Sequence, residues 1–248
     1  LWEYQYMRWQ EMFKSISIIY NVYNEEKRLK KTFLKIKKFE QKNRSMNKEF
    51  IFVNDGSSDL TLALLKKKYK NNKKVRIINL KKNMGKGFAL KKGIQVAKKE
   101  WILTTDADCS VSNFQLIKWL KKKYITNKNY IYFGSRNHPL SKVKKKFVRE
   151  IIGIIFKILI YIFYKISISD TQCGFKIYKS LIAKKIFKKI ITNGYMHDIE
   201  ICLIARKYNY KIIDLPVTWK HINDSKISFL RDFFKIIFNL IKISKYKY

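Results

Sequence analysis

The sequence predicts an α/β fold with a mainly parallel central sheet, and three observations predict it. Short apolar runs alternate with longer charged segments of helical length through the first half, the pattern of successive βαβ units. Each run is followed by a cluster of Asn, Asp, Gly or Ser, on the side where parallel sheets hold their ligands. The length of 248 residues, 47% of them apolar, suits one substantial core. One domain, residues 1–248, is therefore expected, with residues 15–136 forming the first part and 137–248 the second.

Ser15–Tyr20, Glu49–Asn54, Val75–Leu80, Trp101–Thr105 and Tyr130–Gly134 read as buried strands. Glu25–Phe39, Leu60–Tyr69 and Gly87–Lys98 between the first four read as helices. The polar clusters after the strands are Asn24-Glu25-Glu26, Asn54-Asp55-Gly56-Ser57-Ser58-Asp59, Asn83-Met84-Gly85-Lys86-Gly87, Asp106-Ala107-Asp108 and Gly134-Ser135-Arg136. Any one of them is ordinary turn chemistry. Five in succession, at one end of one sheet, point to a binding site.

The second half is different. Ile151–Ile168 is almost wholly apolar, broken by Lys157 and Lys165. It is too short and interrupted for a spanning helix, which needs roughly 20 apolar residues, so it is either a core helix or an interfacial one. From Ile227 onward, polar residues recur every three or four positions with Phe, Ile and Leu between them. That is an amphipathic helix with a basic face, which either lies on an anionic membrane or packs on the domain.

The formal net charge is +37, which suits an anionic partner. Abundant Lys, Ile, Asn, Tyr and Phe together are also what codon bias in an AT-rich genome produces, so local placement of cations carries more weight than their sum. Cys109, Cys173 and Cys202 are odd in number and widely spaced, arguing for reduced thiols rather than a disulfide framework. The three histidines are equally scattered, which disfavours a His-based metal site. Leu1–Phe13 mixes aromatic and charged residues without the apolar stretch of a signal peptide or anchor.

The chemistry centres on Asp106 and Asp108. Two residues apart in an extended stretch, their carboxylates point the same way and suit a hard cation such as Mg²⁺ or Mn²⁺. Such an ion would leave positions open for diphosphate oxygens. Asp55 is placed either to accept from a nucleobase or ribose or to form a turn. Lys86, between two glycines, brings a cation to expected phosphates, but the spacing does not fit a P-loop, so an ATPase is excluded. A basic nucleic-acid-binding module would explain the charge, yet it leaves the carboxylates at the strand ends without a role, and no nucleic-acid partner is expected.

These residues resemble a family. The segments Tyr23-Asn24-Glu25-Glu26, Val53-Asn54-Asp55-Gly56-Ser57, Asn83-Met84-Gly85-Lys86-Gly87, Asp106-Ala107-Asp108, Gly134-Ser135-Arg136, Asp170-Thr171-Gln172-Cys173-Gly174-Phe175-Lys176, Asp198-Ile199-Glu200 and Pro216-Val217 through Ser225-Lys226 are similar to inverting glycosyltransferases of family 2. Within that family they most resemble the dolichyl-phosphate (polyprenyl-phosphate) β-glucosyltransferases. The run Asp170–Lys176 is the most discriminating. Asn21 stands where the family commonly has a proline, and neither the amino-terminal anchor of the eukaryotic enzymes nor carboxyl-terminal membrane helices are evident.

The resemblance implies the GT-A fold, a UDP-sugar donor (UDP-glucose) and a polyprenyl phosphate acceptor. Asn24, Glu26, Asp55, Lys86 and Asp106 would bind the donor, and Asp106 and Asp108 would hold Mg²⁺ or Mn²⁺. Arg136, Arg149 and Lys226 are the expected contacts for the acceptor phosphate, because guanidinium and ammonium groups match phosphate oxygens. Asp108, Asp170 and Asp198 are the candidate catalytic carboxylates, with Asp198 equally readable as a helix cap. The expected setting is cytoplasmic and peripheral, on an anionic membrane surface.

Overall fold

The computed structural model describes residues 13–143, 147–220 and 238–246, and of residues 147–152 and 155 only the backbone. Its strands are β1 (Ser15–Val22), β2 (Asn47–Asn54), β3 (Val75–Asn79), β4 (Trp101–Asp106), β5 (Ile131–Ser135), β6 (Lys142–Val143), β7 (Lys176–Lys179), β8 (Ile212–Pro216) and β9 (Thr218–Trp219). Its helices are α1 (Glu26–Lys42), α2 (Thr61–Tyr69), α3 (Lys86–Val96), α4 (Phe114–Lys121), α5 (Phe147–Tyr164), α6 (Ser180–Lys189) and α7 (His197–Lys207), with a last helix α8 over 238–244.

Seven strands form one sheet in the order β3-β2-β1-β4-β7-β5-β8. β3, β2, β1 and β4 run parallel, as do β5 and β8. β7 runs antiparallel to β4 and β5 and sits between them. β6 and β9 make a small second sheet. The five expected strands and three expected helices are all present, shifted by at most a few residues. β7, from the second half of the sequence, completes a sheet begun by the first.

The central strands are continuous apolar runs because both faces are covered. Alternate residues feed two cores. Ile16, Ile18 and Tyr20 of β1, with Phe50 and Phe52 of β2, pack under α1 and α4. Ile19, Ile51 and Val53 face the other way, under α3, α6 and α7. In α1 the buried positions Leu29, Phe33, Ile36 and Phe39 recur every three or four residues, which presents one apolar stripe to the sheet. With both faces of the sheet sealed, the carboxyl ends of the strands remain as the place for chemistry.

The apolar segment after residue 150 is α5, ended by Lys165 in the left-handed region at φ 53°. Ile160 and Tyr164 turn inward, whereas Ile154, Ile158, Tyr161 and Ile162 are more than half exposed. It is both a core and a surface helix. The turns expected from residue 227 lie outside the described residues up to 237. Within α8, Leu240 and Ile243 are buried against the domain and Phe238 and Ile241 are exposed. No helix among the described residues is long and apolar enough to cross a membrane.

Candidate active site

The site is assembled from loops that tie one another down. Asn24, at φ 50°, follows β1. Its N–H donates to Ser57 Oγ at 2.9 Å, and its Oδ1 accepts from the Ser58 N–H at 2.8 Å. Glu26 Oε2 accepts from the Leu60 N–H at 2.9 Å. These two residues therefore bind the β1–α1 loop to the β2–α2 loop. Asp55, after β2, is buried and accepts from the backbone N–H groups of Met84 (2.8 Å) and Gly85 (2.9 Å). Burial pushes the Asp55 carboxyl up, and these two N–H groups oppose the shift. Its carboxylate is the clasp of the 83–85 loop.

That loop delivers Lys86. Gly85 sits at φ 98°, and a Cβ there would meet the Asn193 carbonyl oxygen at 2.5 Å. Asn193 O also accepts from the Phe88 N–H at 3.1 Å. The 191–194 loop is fixed by Glu200, fully buried, whose oxygens accept from the N–H groups of Ile191 (2.9 Å) and Thr192 (2.8 Å) and from the Thr192 hydroxyl. The start of α3 is thereby held from beneath. Lys86 Nζ lies 2.6 Å from Asp106 Oδ1. Burial alone would lower the Lys86 ammonium, but Asp106 outweighs it and holds the group above its ordinary range.

Asp106 ends β4 with its side chain 40% exposed. Burial would raise its carboxyl, and Lys86, with smaller help from Lys176 and Arg136, brings it below the usual range instead. Asp108 behaves oppositely: burial and then the Asp106 charge raise it, while one oxygen accepts from the Ser110 N–H at 2.8 Å. The turn carrying both is gripped by α1. Thr32 Oγ donates to Ala107 O at 2.6 Å, and Lys35 Nζ reaches Cys109 O at 3.2 Å. Nothing in the residue pattern of α1 signals this, because Thr32 occupies an ordinary inward position.

Gly174, just before β7, lies against the other side of Asp106. A Cβ there would stand 2.5 Å from Asp106 Oδ2 and 2.6 Å from Oδ1. Gly174→Ala must therefore displace that carboxylate. The expected outcome is turnover reduced by roughly 100-fold, as for other misplaced reacting geometries, with unfolding temperature close to wild type by circular dichroism.

Across the same opening lies Arg136, at the end of β5. Thr105, Asp106, Arg136, Gln172, Gly174 and Trp219 share one cleft. Arg136 is held by Asp170 through Nε–Oδ2 at 2.7 Å and Nη2–Oδ1 at 2.9 Å, and its backbone N–H donates to Oδ2 at 2.9 Å. Burial would raise Asp170, but Arg136 holds it below the usual carboxylate range. Asp198 is buried on the far side of the sheet end, 2.7 Å from Lys176 Nζ and 3.2 Å from His197 Nε2. Burial lowers the His197 pKa and outweighs Asp198. Arg149 falls within α5, and its side chain, like all of Lys226, lies outside what is described.

The expected residues thus divide. Asp106 and Arg136 line one cleft, Lys86 pairs with Asp106, and Asp108 lies near enough to Asp106 to feel its charge. Asn24, Glu26, Asp55, Asp170 and Asp198 are engaged by the protein itself.

The carboxylate pair fits a divalent cation. Among the described residues no group of three His, Cys, Asp or Glu side chains converges. Mg²⁺ and Mn²⁺ commonly use one or two carboxylates and leave their remaining positions to water and phosphate. The ammonium beside Asp106 shows that the position already favours positive charge.

Comparison with known proteins agrees with this geometry. The model of the family "Glycosyl transferase family 2" matches residues 17–187. A dolichyl-phosphate beta-glucosyltransferase of Trichomonas vaginalis is 34% identical over 238 residues, covering 92% of this chain and 72% of that protein. The human dolichyl-phosphate beta-glucosyltransferase is 32% identical over 233 residues, covering 88% and 71%. Among solved structures, glucosyl-3-phosphoglycerate synthase from Mycobacterium tuberculosis, in complex with Mn²⁺, UDP-glucose and phosphoglyceric acid, superposes with a TM-score of 0.67. It is 13% identical and covers 97% of this chain and 83% of that one. Staphylococcus aureus TarS 1–349 with UDP-GlcNAc superposes with a TM-score of 0.55 at 19% identity, covering 94% and 68%. The structural likenesses establish the GT-A fold expected from the sequence.

Proposed function

Because the chain belongs to glycosyl transferase family 2 and is a glycosyltransferase, we propose that it moves glucose from UDP-glucose to a dolichyl or related polyprenyl phosphate at a membrane surface. The observation that carries this reading is the placement of cations around Asp106. Lys86 is paired with Asp106, and Asp106 and Arg136 line one cleft. Two phosphorylated substrates can be neutralised there while their reacting atoms meet.

In this reading Asp106 and Asp108 hold Mg²⁺ or Mn²⁺, which neutralises charge on the donor diphosphate. Lys86 supports the departing UDP. Asn24, Glu26 and Asp55 shape the nucleoside side by fixing the three loops that border it. Arg136, oriented by Asp170, receives the acceptor phosphate as a guanidinium fork. An acceptor phosphate oxygen attacks the anomeric carbon as the bond to the diphosphate breaks, and the electron pair leaves with UDP. In-line attack inverts the anomeric centre. The acceptor is already anionic, so no side chain need remove a proton. Asp170 and Asp198 are each paired with a cation of the protein itself.

The outer face of α5 suits a lipid acceptor. Ile154, Ile158, Tyr161 and Ile162 form an exposed apolar strip, with Lys157 and Lys165 also exposed on the helix. Apolar burial with cations near lipid head groups is how interfacial helices bind. Replacing Ile154, Ile158 and Ile162 together by Gln is expected to weaken co-sedimentation with anionic liposomes at least about tenfold, from the apolar area lost. Unchanged co-sedimentation rules out α5 as the membrane face.

The test of the function is transfer of label from UDP-glucose into an organic-soluble product with a polyprenyl phosphate and Mg²⁺ or Mn²⁺. GDP-mannose and UDP-N-acetylglucosamine run in parallel. Labelling from UDP-glucose is the expected result. Labelling from another donor moves the sugar assignment, and no lipid labelling removes the acceptor.

A further inference from the structure

Gln172 lies between two residues with roles already described, Asp170 and Gly174, and has none itself. It lines the cleft shared by Asp106, Arg136 and Trp219. Its side-chain amide nitrogen is buried and has no hydrogen-bond partner. Burying an amide donor without an acceptor is unfavourable. Asn113 and Asp214 also carry buried side-chain atoms without a partner, but neither lines the cleft. Among the described residues, only Gln172 combines an unanswered donor with a place on the cleft beside Asp106 and Arg136.

Its neighbours indicate the chemistry of the missing acceptor. The Gln172 N–H donates to Asp170 Oδ1 at 3.1 Å, so the carboxylate that orients Arg136 also fixes the backbone of Gln172. Two donors of different kind are thus set side by side. Arg136 is charged and suits phosphate. The amide of Gln172 is neutral and suits a hydroxyl. Gly174 places this stretch against Asp106, where the diphosphate end of a nucleotide sugar would lie, and Trp219 adds an aromatic surface to the cleft.

We propose that Gln172 is a specificity-determining residue that donates its amide N–H to a hydroxyl oxygen of the sugar being transferred. The proposal rests on the nucleotide-sugar reading above. A site built to answer a hydroxyl discriminates strongly against a sugar lacking it, because the buried donor is then left unpaired.

The test uses Gln172→Met, which keeps the side-chain length and removes the donor, alongside the wild-type chain. Affinities for UDP and UDP-glucose are measured by calorimetry with Mn²⁺, and transfer is followed with UDP-glucose and its monodeoxy analogues. Gln172→Met is expected to bind UDP within about twofold of wild type, to bind UDP-glucose more weakly, and to lose about 10- to 100-fold in kcat/KM. One deoxy analogue should cost the wild type that same factor and cost Gln172→Met nothing further, as coupled partners require. Equal kcat/KM and equal UDP-glucose affinity in the two proteins would overturn the proposal, as would an equal loss for UDP and UDP-glucose. Should the wild type use a different nucleotide sugar, the donor assignment falls and the deoxy series of that sugar tests Gln172 in the same way. Should it transfer from none, the function falls, and the difference between UDP and UDP-glucose binding still decides Gln172.

Discussion

Asp106→Asn is expected to lower kcat by about 1,000-fold or more, the largest loss of any single change in this chain. Removal of one preorganised electrostatic contact typically costs 100- to 1,000-fold, and Asp106 pairs with one cation and is the proposed ligand of a second. It is the 2.6 Å partner of Lys86 and half of the carboxylate pair suited to a divalent ion. Asparagine keeps the shape beside Gly174 and removes the charge. Asp106 is 40% exposed but Lys86 only 13%, so loss of the pair should also cost some stability by leaving the Lys86 ammonium without its partner. Product formation measured across a metal titration, with circular dichroism as the fold control, checks both halves. Turnover within tenfold of wild type would remove Asp106 from the centre of the site. Lys86→Met should lose less than Asp106→Asn, and the double variant less than the sum, since the two groups act through one contact.

The second large effect concerns stability. Lys176→Met is expected to destabilise the fold by about 3–5 kcal/mol, the usual result of breaking a buried ion pair from one side. Lys176 and Asp198 are 2% and 3% exposed and 2.7 Å apart. Lys176 Nζ also donates to Cys173 O at 2.6 Å and lies 4.7 Å from the centre of the Phe133 ring. The single change leaves the Asp198 carboxylate buried without its cation. Lys176→Met with Asp198→Leu removes both charges and should recover much of the loss. Denaturant titration of the three proteins measures it. A double variant no more stable than the single one would show that Asp198 is sustained by something other than Lys176.

The strands and the opening were legible because both follow local rules. A strand buried on two faces is a largely apolar run, as in Phe50–Val53 and, with Ser17 the exception, Ile16–Tyr20. A loop at its carboxyl end must supply turn formers and ligands, as Asp106-Ala107-Asp108 does. The partnerships within the site were not legible, because they join residues far apart in sequence. Asp55 read either as a contact for a nucleoside or as a turn residue, and its hydrogen bonds to Met84 and Gly85, 29 and 30 residues on, could not be read from either. Asp170 and Asp198 stood open between acting as bases, contacting sugar hydroxyls and orienting basic residues, and only the fold shows that they pair with Arg136 and Lys176. A carboxylate in sequence does not disclose whether a cation will reach it. β7 was hidden for a related reason: Lys176-Ile-Tyr-Lys reads as amphipathic, and its first lysine is tolerable in the interior because Asp198 and the Cys173 carbonyl meet it there.

The reversed strand β7 also sets a schedule for biogenesis. A ribosome delivers β4 and β5 while the strand that must lie between them is still unmade. Until residues 176–179 emerge, the facing edges of β4 and β5 are unpaired, and exposed edges of that kind invite association with other chains. Gly174, which seats the Asp106 carboxylate, arrives in the same interval. A nascent chain shorter than this has every strand-end cluster of its first half, while the strand that closes the sheet beside them is still missing.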